Sequence, residues 1–511
     1  MTASFSKKQF LGFLIFLSIA VLMRWNTFTA PLERDEGEYA YGAWIMTKGM
    51  LPYVDTFLQK PPMIIHIYRF GMMLSDHPIL PFRLLAFLSS IITSLLVAKI
   101  AAKFTGKEYF WVGAYFNFGL LSLPSFFAFV ANTEIFMILP LTLALERYYF
   151  ARKSDSLQSA IFGALLAIAL FTKPICMPAT VLLVLCWAYQ VQFNLAVTRL
   201  FFVVLGGAAA MLMILAPFLS VDAIYAMYDS VVRFNRLYIQ FFEPWAALDV
   251  NMRESSVLVF FLILGFYGQL KSKNHILPLC LLTLSILVMR WSVFPHYAIM
   301  LVPYIALIAS IGLAYLLANI YTSHSTRDRI AVLAVIFTFS ISPSLQYILL
   351  KPELYSWFIY NESNNNFTGA KKIGERLNEL TTQNDRILVA GLEPEILWYA
   401  KRLSSSRYII QAPLALKTSE TKRYVEEFKS ELSSNPPKYI AIALAENSYF
   451  YRSITDAFDE YSSIIMNEIS SHYQLVGGVN GLNYDAEFLS ELNFNVSRKR
   501  DPAIYLFGLK R

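Results

Sequence analysis

Long apolar stretches constrain this chain more strongly than any other feature of its sequence. A membrane-spanning helix needs roughly 20 mostly apolar residues to cross a hydrocarbon layer of about 30 Å. Eleven stretches are candidates, at residues 9–24, 79–102, 109–130, 134–150, 157–172, 174–190, 200–220, 255–270, 275–290, 296–319 and 330–349. Because 56% of the residues are hydrophobic and only 15% are charged, we predict a polytopic α-helical membrane protein with about 11 transmembrane helices.

Basic residues occur in alternate loops between these stretches, and their placement predicts the orientation of the chain. The set comprises Lys7, Lys8, Lys103, Lys107, Arg147, Arg152, Lys153, Arg199, Lys271, Lys273, Arg327 and Arg329. The positive-inside rule makes these loops and the N-terminus cytoplasmic in a plasma (inner) membrane. The opposite, extracytoplasmic or periplasmic, face then receives the chain after about residue 350 and the segments 25–78, 132–134, 221–253 and 291–296.

Several common functions are excluded by what the sequence contains and lacks. The net charge of +7 does not indicate nucleic-acid binding, because the basic residues are dispersed at helix ends. Each of the three cysteines lies inside a predicted span, so neither a disulfide nor a Cys-x-x-Cys metal site is predicted. The chain has no glycine-rich phosphate loop, no His-Glu-x-x-His and no Gly-x-Ser-x-Gly motif. Any chemistry is therefore expected in the membrane half.

The composition changes after residue 350, first to a polar linker and then to alternating strand and helix patterns. Strand-like runs lie at 386–391, 439–444, 473–479 and 503–509, with helical patterns at 369–381, 393–402, 420–433 and 450–470. We therefore expect three regions, namely a transmembrane domain at 1–350, a linker at 351–368 and an exported, soluble α/β domain at 369–511.

The first outer loop, residues 25–78, carries the densest group of charges. The segment Leu32-Glu33-Arg34-Asp35-Glu36-Gly37-Glu38-Tyr39 follows the first span, and Lys60-Pro61-Pro62 comes later in the same loop. Ionisable groups are costly near hydrocarbon, so this segment should face water or a substrate. Apolar residues recur around both motifs at near-helical spacing, which predicts two amphipathic helices lying at the membrane interface. Asp35, Glu36 and Lys60 would then face a common cavity.

These motifs resemble those of the GT-C superfamily of polytopic glycosyltransferases that use polyprenyl-phosphate sugars, including protein O-mannosyltransferases and lipid A aminoarabinose transferases. The resemblance rests on Asp-Glu-x-x-Tyr at 35–39, on Lys60-Pro61-Pro62, on the acidic turn Thr133-Glu134 and on Phe294-Pro295-His296-Tyr297. It covers the membrane half in the right order. No large inserted lumenal module separates the spans, which favours a bacterial or archaeal enzyme over the eukaryotic protein mannosyltransferases.

The resemblance implies a role for each matching residue. Asp35 would be the catalytic carboxylate of an inverting transfer, assisted by Glu36 and Glu134. Lys60 is the first candidate for binding the donor phosphate. Further substrate-binding candidates are Tyr39, Arg83, Arg233, Arg236, Arg290, His296 and Tyr297. No cofactor is certain, and a divalent metal is a candidate with Glu134 and His296 as its ligands.

The partners implied are a polyprenyl-phosphate-linked hexose or pentose as donor, and lipid A, another envelope glycan or a protein as acceptor. Membrane lipids surround the spans, and no nucleic acid is expected. The chemical logic agrees, because attack on an anomeric carbon needs a base near the acceptor hydroxyl and a cation near the leaving phosphate.

Plainer interpretations exist for each of these residues. Asp35 and Glu36 would be solvated neighbours of Arg34, Glu134 a helix-start carboxylate, the cations snorkelling side chains, and His296-Tyr297 part of an aromatic belt. Two alternative functions are a transporter or lipid flippase for a glycolipid and a non-catalytic scaffold. A transporter would show related halves and polar groups near the midplane, whereas the ionisable residues here lie at the ends of spans, which favours the enzyme.

Overall fold

The structure of the protein, a computed structural model, divides into two compact units. It describes residues 7–152, 155–239, 245, 256–271, 276–291, 294–321, 347–360, 365–444, 460–480, 488–490 and 503–510. The first unit comprises Met1–Phe28, Arg83–Ala216 and Phe242–Leu349. The second unit comprises Thr29–Phe82, Pro217–Phe241 and Leu350–Arg511.

The first unit consists of apolar α-helices. Their bounds are Lys7–Arg24, Leu80–Thr105, Phe110–Leu120, Thr133–Phe150, Ser156–Thr172, Met177–Tyr189, Phe193–Leu215, Ser256–Lys271, Ile276–Val288 and Val302–Tyr321. Counting the short 3₁₀ turns that extend some of them, four helices among the described residues are long and apolar enough to cross a membrane, at Lys7–Phe28, Leu80–Thr105, Phe193–Phe218 and Pro295–Ala318. These helices fit the predicted polytopic membrane protein.

Most predicted stretches coincide with described helices, although the stretch 200–220 corresponds to the helix Phe193–Leu215, which begins and ends earlier. Two further places differ. The stretch 330–349 lies mostly outside the described residues. The helix that begins at Phe110 ends at Leu120, not near 130, and a 3₁₀ turn follows at Pro124–Phe126. The cause is Pro124, which cannot donate a backbone hydrogen bond and pushes Leu123 into an extended conformation (ψ 129°).

Close helix contacts in the first unit depend on glycine. A Cβ atom added at Gly163 would overlap the backbone of Val203, and one added at Gly206 would overlap the backbone of Ala160. The Ser156–Thr172 and Phe193–Leu215 helices therefore approach at the distance of their backbones, the packing typical of small residues in membrane helices.

The first outer loop forms two helices in the second unit, at Arg34–Met46 and Met63–Leu74. Both were predicted. The second helix buries Ile64, Ile65 and Tyr68, while Met73 is 72% exposed and Leu74 is 58% exposed. An exposed apolar face on a helix with a buried apolar face fits a position at a membrane interface.

The C-terminal part of the second unit is built on a six-stranded sheet. Its strands are β1 (Arg386–Ala390), β2 (Leu403–Ser404), β3 (Tyr439–Leu444), β4 (Tyr473–Asn480), β5 (Phe488–Ser490) and β6 (Ala503–Leu509), in the order β2-β1-β3-β6-β4-β5. Strand β1 pairs in parallel with β2 and β3, and β6 pairs antiparallel with β3 and β4. All four predicted strands are present, which confirms the expected α/β character.

The remaining helices of the second unit surround this sheet or precede it along the chain. They are Val221–Met227, Asn235–Tyr238, Pro352–Ile359, Phe367–Leu380, Glu395–Ala400, Ala412–Ala415, Thr421–Ser434 and Glu460–His472, with a π-helix at Tyr228–Phe234. The helix predicted at 450–470 begins, within the described residues, at Glu460.

The compact units differ from the contiguous division into 1–350, 351–368 and 369–511. The first outer loop belongs with the C-terminal residues, since the Ser404 amide donates to the Tyr41 hydroxyl at 2.8 Å and the Phe57 amide donates to the Arg407 carbonyl at 2.7 Å. The expected linker contains the Pro352–Ile359 helix. Packing between segments distant in sequence, which composition does not report, sets these boundaries.

Candidate active site

The charged segment after the first span forms the start of the Arg34–Met46 helix. The Glu33 carboxylate accepts hydrogen bonds from the Asp35 and Glu36 amides at 3.1 and 3.2 Å, and the Glu36 carboxylate accepts one from the Glu33 amide at 3.1 Å. This reciprocal arrangement is a capping box. It places Asp35 in the first turn of the helix, where the helix dipole favours a negative charge.

Asp35, Lys60 and Tyr39 lie together in the second unit. The Lys60 Nζ atom is 3.6 Å from Asp35 Oδ2, and the side chains of the two residues are 16% and 19% exposed. The Tyr39 hydroxyl, one helical turn after Asp35, donates to the same oxygen at 3.4 Å. The structure thus brings three of the predicted site residues into one partly buried group, which we call the Asp35 group.

The segment that carries Lys60 is held by backbone hydrogen bonds to side chains from elsewhere in the second unit. The Tyr53 hydroxyl donates to the Lys60 carbonyl at 2.8 Å. The Gln59 amide donates to Glu38 Oε1 at 3.0 Å, and the Asn235 side chain donates to the Gln59 carbonyl at 2.8 Å. These bonds fix the backbone from which the Lys60 side chain reaches Asp35.

Glu36 lies next to Asp35 in sequence but is fully buried. Its Oε2 atom accepts a hydrogen bond from the backbone amide of the cap residue, Glu33. This contact gives Glu36 a structural part in the helix start, and its predicted assistance to catalysis stays a prediction.

A second polar group, the Glu134 group, lies within the first unit at the ends of apolar helices. Glu134 is buried in the first turn of the Thr133–Phe150 helix and forms an ion pair with Lys173. His296 Nε2 is 3.7 Å from Glu134 Oε1. The Lys173 ammonium lies 3.6 Å from the centre of the Tyr297 ring, a cation–π contact. Two turns predicted on the outer side of the membrane, at 132–134 and 291–296, therefore meet here together with Lys173.

Lys173 is the residue of this group that sequence reasoning missed. It stands in Thr172-Lys173-Pro174, between the predicted stretches 157–172 and 174–190. Its position could have identified it, because a lysine flanked by apolar stretches needs a partner and usually marks a functional or structural site.

The Glu134 group also bears on the metal candidate. The Glu134 and His296 side chains are close enough to bind one metal ion together. The Lys173 ammonium group, however, already pairs with Glu134. Among the described residues, no group of three or more His, Cys, Asp or Glu side chains has the arrangement of a metal site. Metal dependence therefore stays a prediction.

The four predicted arginines lie in different surroundings. In the first unit, Arg83 is buried and donates to the Phe129 carbonyl at 3.1 Å, whereas Arg290 is exposed. In the second unit, Arg233 donates to Asp229 at 2.9 Å and Arg236 is exposed. The phosphate-binding role of all four arginines stays a prediction.

Asp229 is a further buried carboxylate that sequence reasoning did not single out. It lies in the π-helix Tyr228–Phe234 and accepts two hydrogen bonds from the Arg423 guanidinium, at 2.8 and 2.9 Å, and one from Tyr424 at 3.3 Å. Both Arg423 bonds come from the Nη2 atom, and hydrogen bonds between two ionised groups are stronger than neutral ones. The bonds to Asp229 attach the π-helix to the Thr421–Ser434 helix.

No protein-family model and no curated protein matches the chain. Among solved structures, ArnT from Cupriavidus metallidurans bound to undecaprenyl phosphate is similar to it, with a TM-score of 0.55, 13% identity and coverage of 97% of both chains. The same protein in the apo state gives a TM-score of 0.55, 14% identity and the same coverage. The likeness covers 97% of both chains and shows a shared fold, in agreement with the predicted helical membrane protein with a C-terminal α/β domain.

Proposed function

We propose that the protein is a membrane glycosyltransferase that moves a sugar from a polyprenyl-phosphate-linked donor to an acceptor on the extracytoplasmic face of the membrane. The observation that carries the proposal is the Asp35–Lys60 pair, with 3.6 Å between Asp35 Oδ2 and Lys60 Nζ. Transfer of a sugar from a phosphate leaving group requires a base for the acceptor hydroxyl and a cation near the phosphate. A carboxylate beside a lysine supplies both groups.

The reaction that this pair would perform is a direct displacement. The acceptor hydroxyl oxygen forms the new bond to the anomeric carbon while the bond from that carbon to the phosphate oxygen breaks. The hydroxyl proton passes to Asp35, and the electron pair of the broken bond stays on the phosphate, where Lys60 stabilises the added negative charge. Displacement from one face inverts the anomeric centre. Tyr39, which donates to Asp35 Oδ2, would orient the carboxylate.

The choice of donor class is supported by the fold. ArnT from Cupriavidus metallidurans, which shares the fold over 97% of both chains, was crystallised with undecaprenyl phosphate. A lipid of that kind delivers its phosphate at the membrane surface, the level at which the positive-inside rule expects the first outer loop. The N-terminus would be cytoplasmic and the α/β domain periplasmic. The sugar would be a hexose or pentose, and the acceptor lipid A, another envelope glycan or a protein.

The direct test compares the glycolipids and glycoproteins of native cells by mass spectrometry. Cells carry the wild-type protein, a deletion, or Asp35→Asn at matched membrane abundance. We expect Asp35→Asn to lose the same sugar-bearing species as the deletion, because the amide cannot accept the hydroxyl proton. Asp76→Asn, an exposed position in the same loop, is the matched control and should behave as wild type. An Asp35→Asn profile equal to wild type beside a changed deletion profile would contradict the proposal.

A further inference from the structure

Glu38 is a buried carboxyl that the resemblance does not assign and the mechanism above does not use. It lies on the Arg34–Met46 helix, three residues after Asp35, and is fully buried. One oxygen, Oε1, accepts the hydrogen bond from the Gln59 amide at 3.0 Å. The other, Oε2, has no hydrogen-bond partner within the described part of the chain. Leaving a buried carboxylate oxygen unpaired is costly, so the position calls for an explanation.

The surroundings of Glu38 connect it to the Asp35 group. Burial raises the pKa of Glu38 to about 7, the positive charge of Lys60 lowers it, and the negative charge of Asp35 raises it. Tyr53, which donates to the Lys60 carbonyl, has in turn a raised pKa because it is buried near Glu38. The lysine that pairs with Asp35 is thus also the main positive charge acting on Glu38.

From this arrangement, and resting on the proposed function, we infer that Glu38 is a positioning residue that couples binding of the lipid phosphate at Lys60 to uptake of a proton. Its ionised form competes with the phosphate for the charge of Lys60, and its neutral form does not. Its Oε1 atom holds the Gln59 amide in both forms, so the turn that presents Lys60 persists while the local charge changes.

The sign of the coupling follows from linkage. In the ligand-free protein, Lys60 favours the ionised form of Glu38. A bound phosphate neutralises Lys60, so the pKa of Glu38 rises above about 7 and Glu38 takes a proton from solvent. Reciprocally, the phosphate binds more tightly below this pKa, where Glu38 is already neutral, and more weakly above it. The effect is larger for the free lipid phosphate, a dianion above its second pKa of about 6, than for a singly charged phosphodiester donor.

The test measures the affinity of farnesyl phosphate, a short isoprenyl monophosphate, for the whole protein in nanodiscs between pH 6 and pH 9. Wild type is compared with Glu38→Gln, which keeps the oxygen that accepts from Gln59. We expect equal dissociation constants near pH 6 and roughly tenfold tighter binding by Glu38→Gln near pH 8.5, where it lacks a competing charge. Glu379→Gln, at a largely exposed carboxylate paired with Arg376, should follow wild type throughout.

A gain of affinity at high pH distinguishes charge coupling from a structural defect, because a misfolded variant binds less tightly at every pH. Wild type provides a second readout, since the binding heat at pH 7.5 should depend on the ionisation enthalpy of the buffer in the direction of proton uptake. Parallel affinity profiles for wild type and Glu38→Gln, or weaker binding by Glu38→Gln at high pH, would overturn this inference alone. A folded wild type that does not bind the phosphate would overturn both this inference and the proposed function.

Discussion

At the scale of single residues, the site is defined by how each ionisable side chain is paired. Asp35 and Lys60 form a partly buried pair, with 3.6 Å between Asp35 Oδ2 and Lys60 Nζ, and both side chains keep some exposure to solvent. Glu134 and Lys173 form a buried pair, in which loss of either side chain would leave the other charge buried and uncompensated. The matching motifs made the first pair predictable. The second was not, because two residues far apart in sequence meet only in the folded helices.

Removing Lys173 should therefore destabilise the first unit. Lys173→Met leaves the Glu134 carboxylate buried without its cation, which costs about 3–5 kcal/mol of the free energy of unfolding. Thermal unfolding in detergent should detect the loss, and the double variant Glu134→Gln/Lys173→Met should recover much of it. Lys371→Met, which removes a surface pair with Glu375, is the matched control, with a cost within about 1 kcal/mol. If Lys173→Met were as stable as Lys371→Met, the Glu134–Lys173 pair would not contribute to the stability of the first unit.

At the scale of elements, the start of the Arg34–Met46 helix is the feature that positions Asp35. The capping box Glu33–Glu36 was visible in the sequence only as a dense run of charge, and its use of glutamate as the cap is unusual among cap residues. Strands β1, β3, β4 and β6 were predictable from their strand-like residue patterns. Strands β2 and β5 have only two and three residues, which is too short to show an alternation of apolar and polar residues. Sheet pairing alone defines them.

The contact between this helix and the Glu395–Ala400 helix predicts a pH effect on stability. Glu395 is fully buried, packs against the backbone at Gly37, and has no hydrogen-bond partner for either carboxylate oxygen among the described residues. Burial, then the nearby Glu393 carboxylate, raises the pKa of Glu395 well above its usual range. Because the pKa is higher in the folded state, the neutral carboxyl contributes to the free energy of unfolding. This contribution is fully present below the unfolded pKa of about 4.5 and is lost as the pH rises through the folded pKa.

Glu395→Gln should therefore stabilise the second unit at alkaline pH. The amide carries no charge to desolvate, so the melting temperature should rise by about 2–4 °C at pH 8.5 and stay unchanged near pH 4.5. Differential scanning fluorimetry at both pH values tests this expectation. Glu375→Gln, at an exposed glutamate, should leave the melting temperature unchanged at both. A variant that melts lower at pH 8.5 would mean that the ionised carboxylate stabilises this helix contact.

At the scale of the whole molecule, the second unit is assembled from three separate segments of the chain. The Phe57 ring of the first outer loop packs on Tyr408 and Tyr424 of the C-terminal segment, with ring centres 5.3 and 5.4 Å apart. Composition predicted spans before about residue 350 and strands after it, and the described helices and strands follow that order. It could not show that the outer loop completes the soluble unit, because that depends on contacts between residues hundreds of positions apart.

The C-terminal segment should consequently be incomplete on its own. Residues 350–511 expressed alone would expose Tyr408, Ile409 and Tyr424, all buried in the whole chain. We expect them to bind a hydrophobic dye and to melt at a lower temperature than a chain that links 29–82, 217–241 and 350–511 through flexible linkers. A monomeric 350–511 fragment that melts at the same temperature as the linked chain would restore the contiguous domain predicted from the sequence.

Asp35 and Lys60 are proposed to carry out sugar transfer from a lipid phosphate. The most direct measurement is the amount of polyprenyl-phosphate-linked sugar and of its transferred product in one lipid extract from cells that carry wild type, Asp35→Asn, Lys60→Gln or the Asp76→Asn control. Loss of a general base typically lowers the rate by about 10²–10⁴. Cells with Asp35→Asn or Lys60→Gln should therefore accumulate the polyprenyl-phosphate-linked sugar. They should also lose the product that carries this same sugar. Unchanged donor and product in both variants, at wild-type protein levels, would contradict the claim.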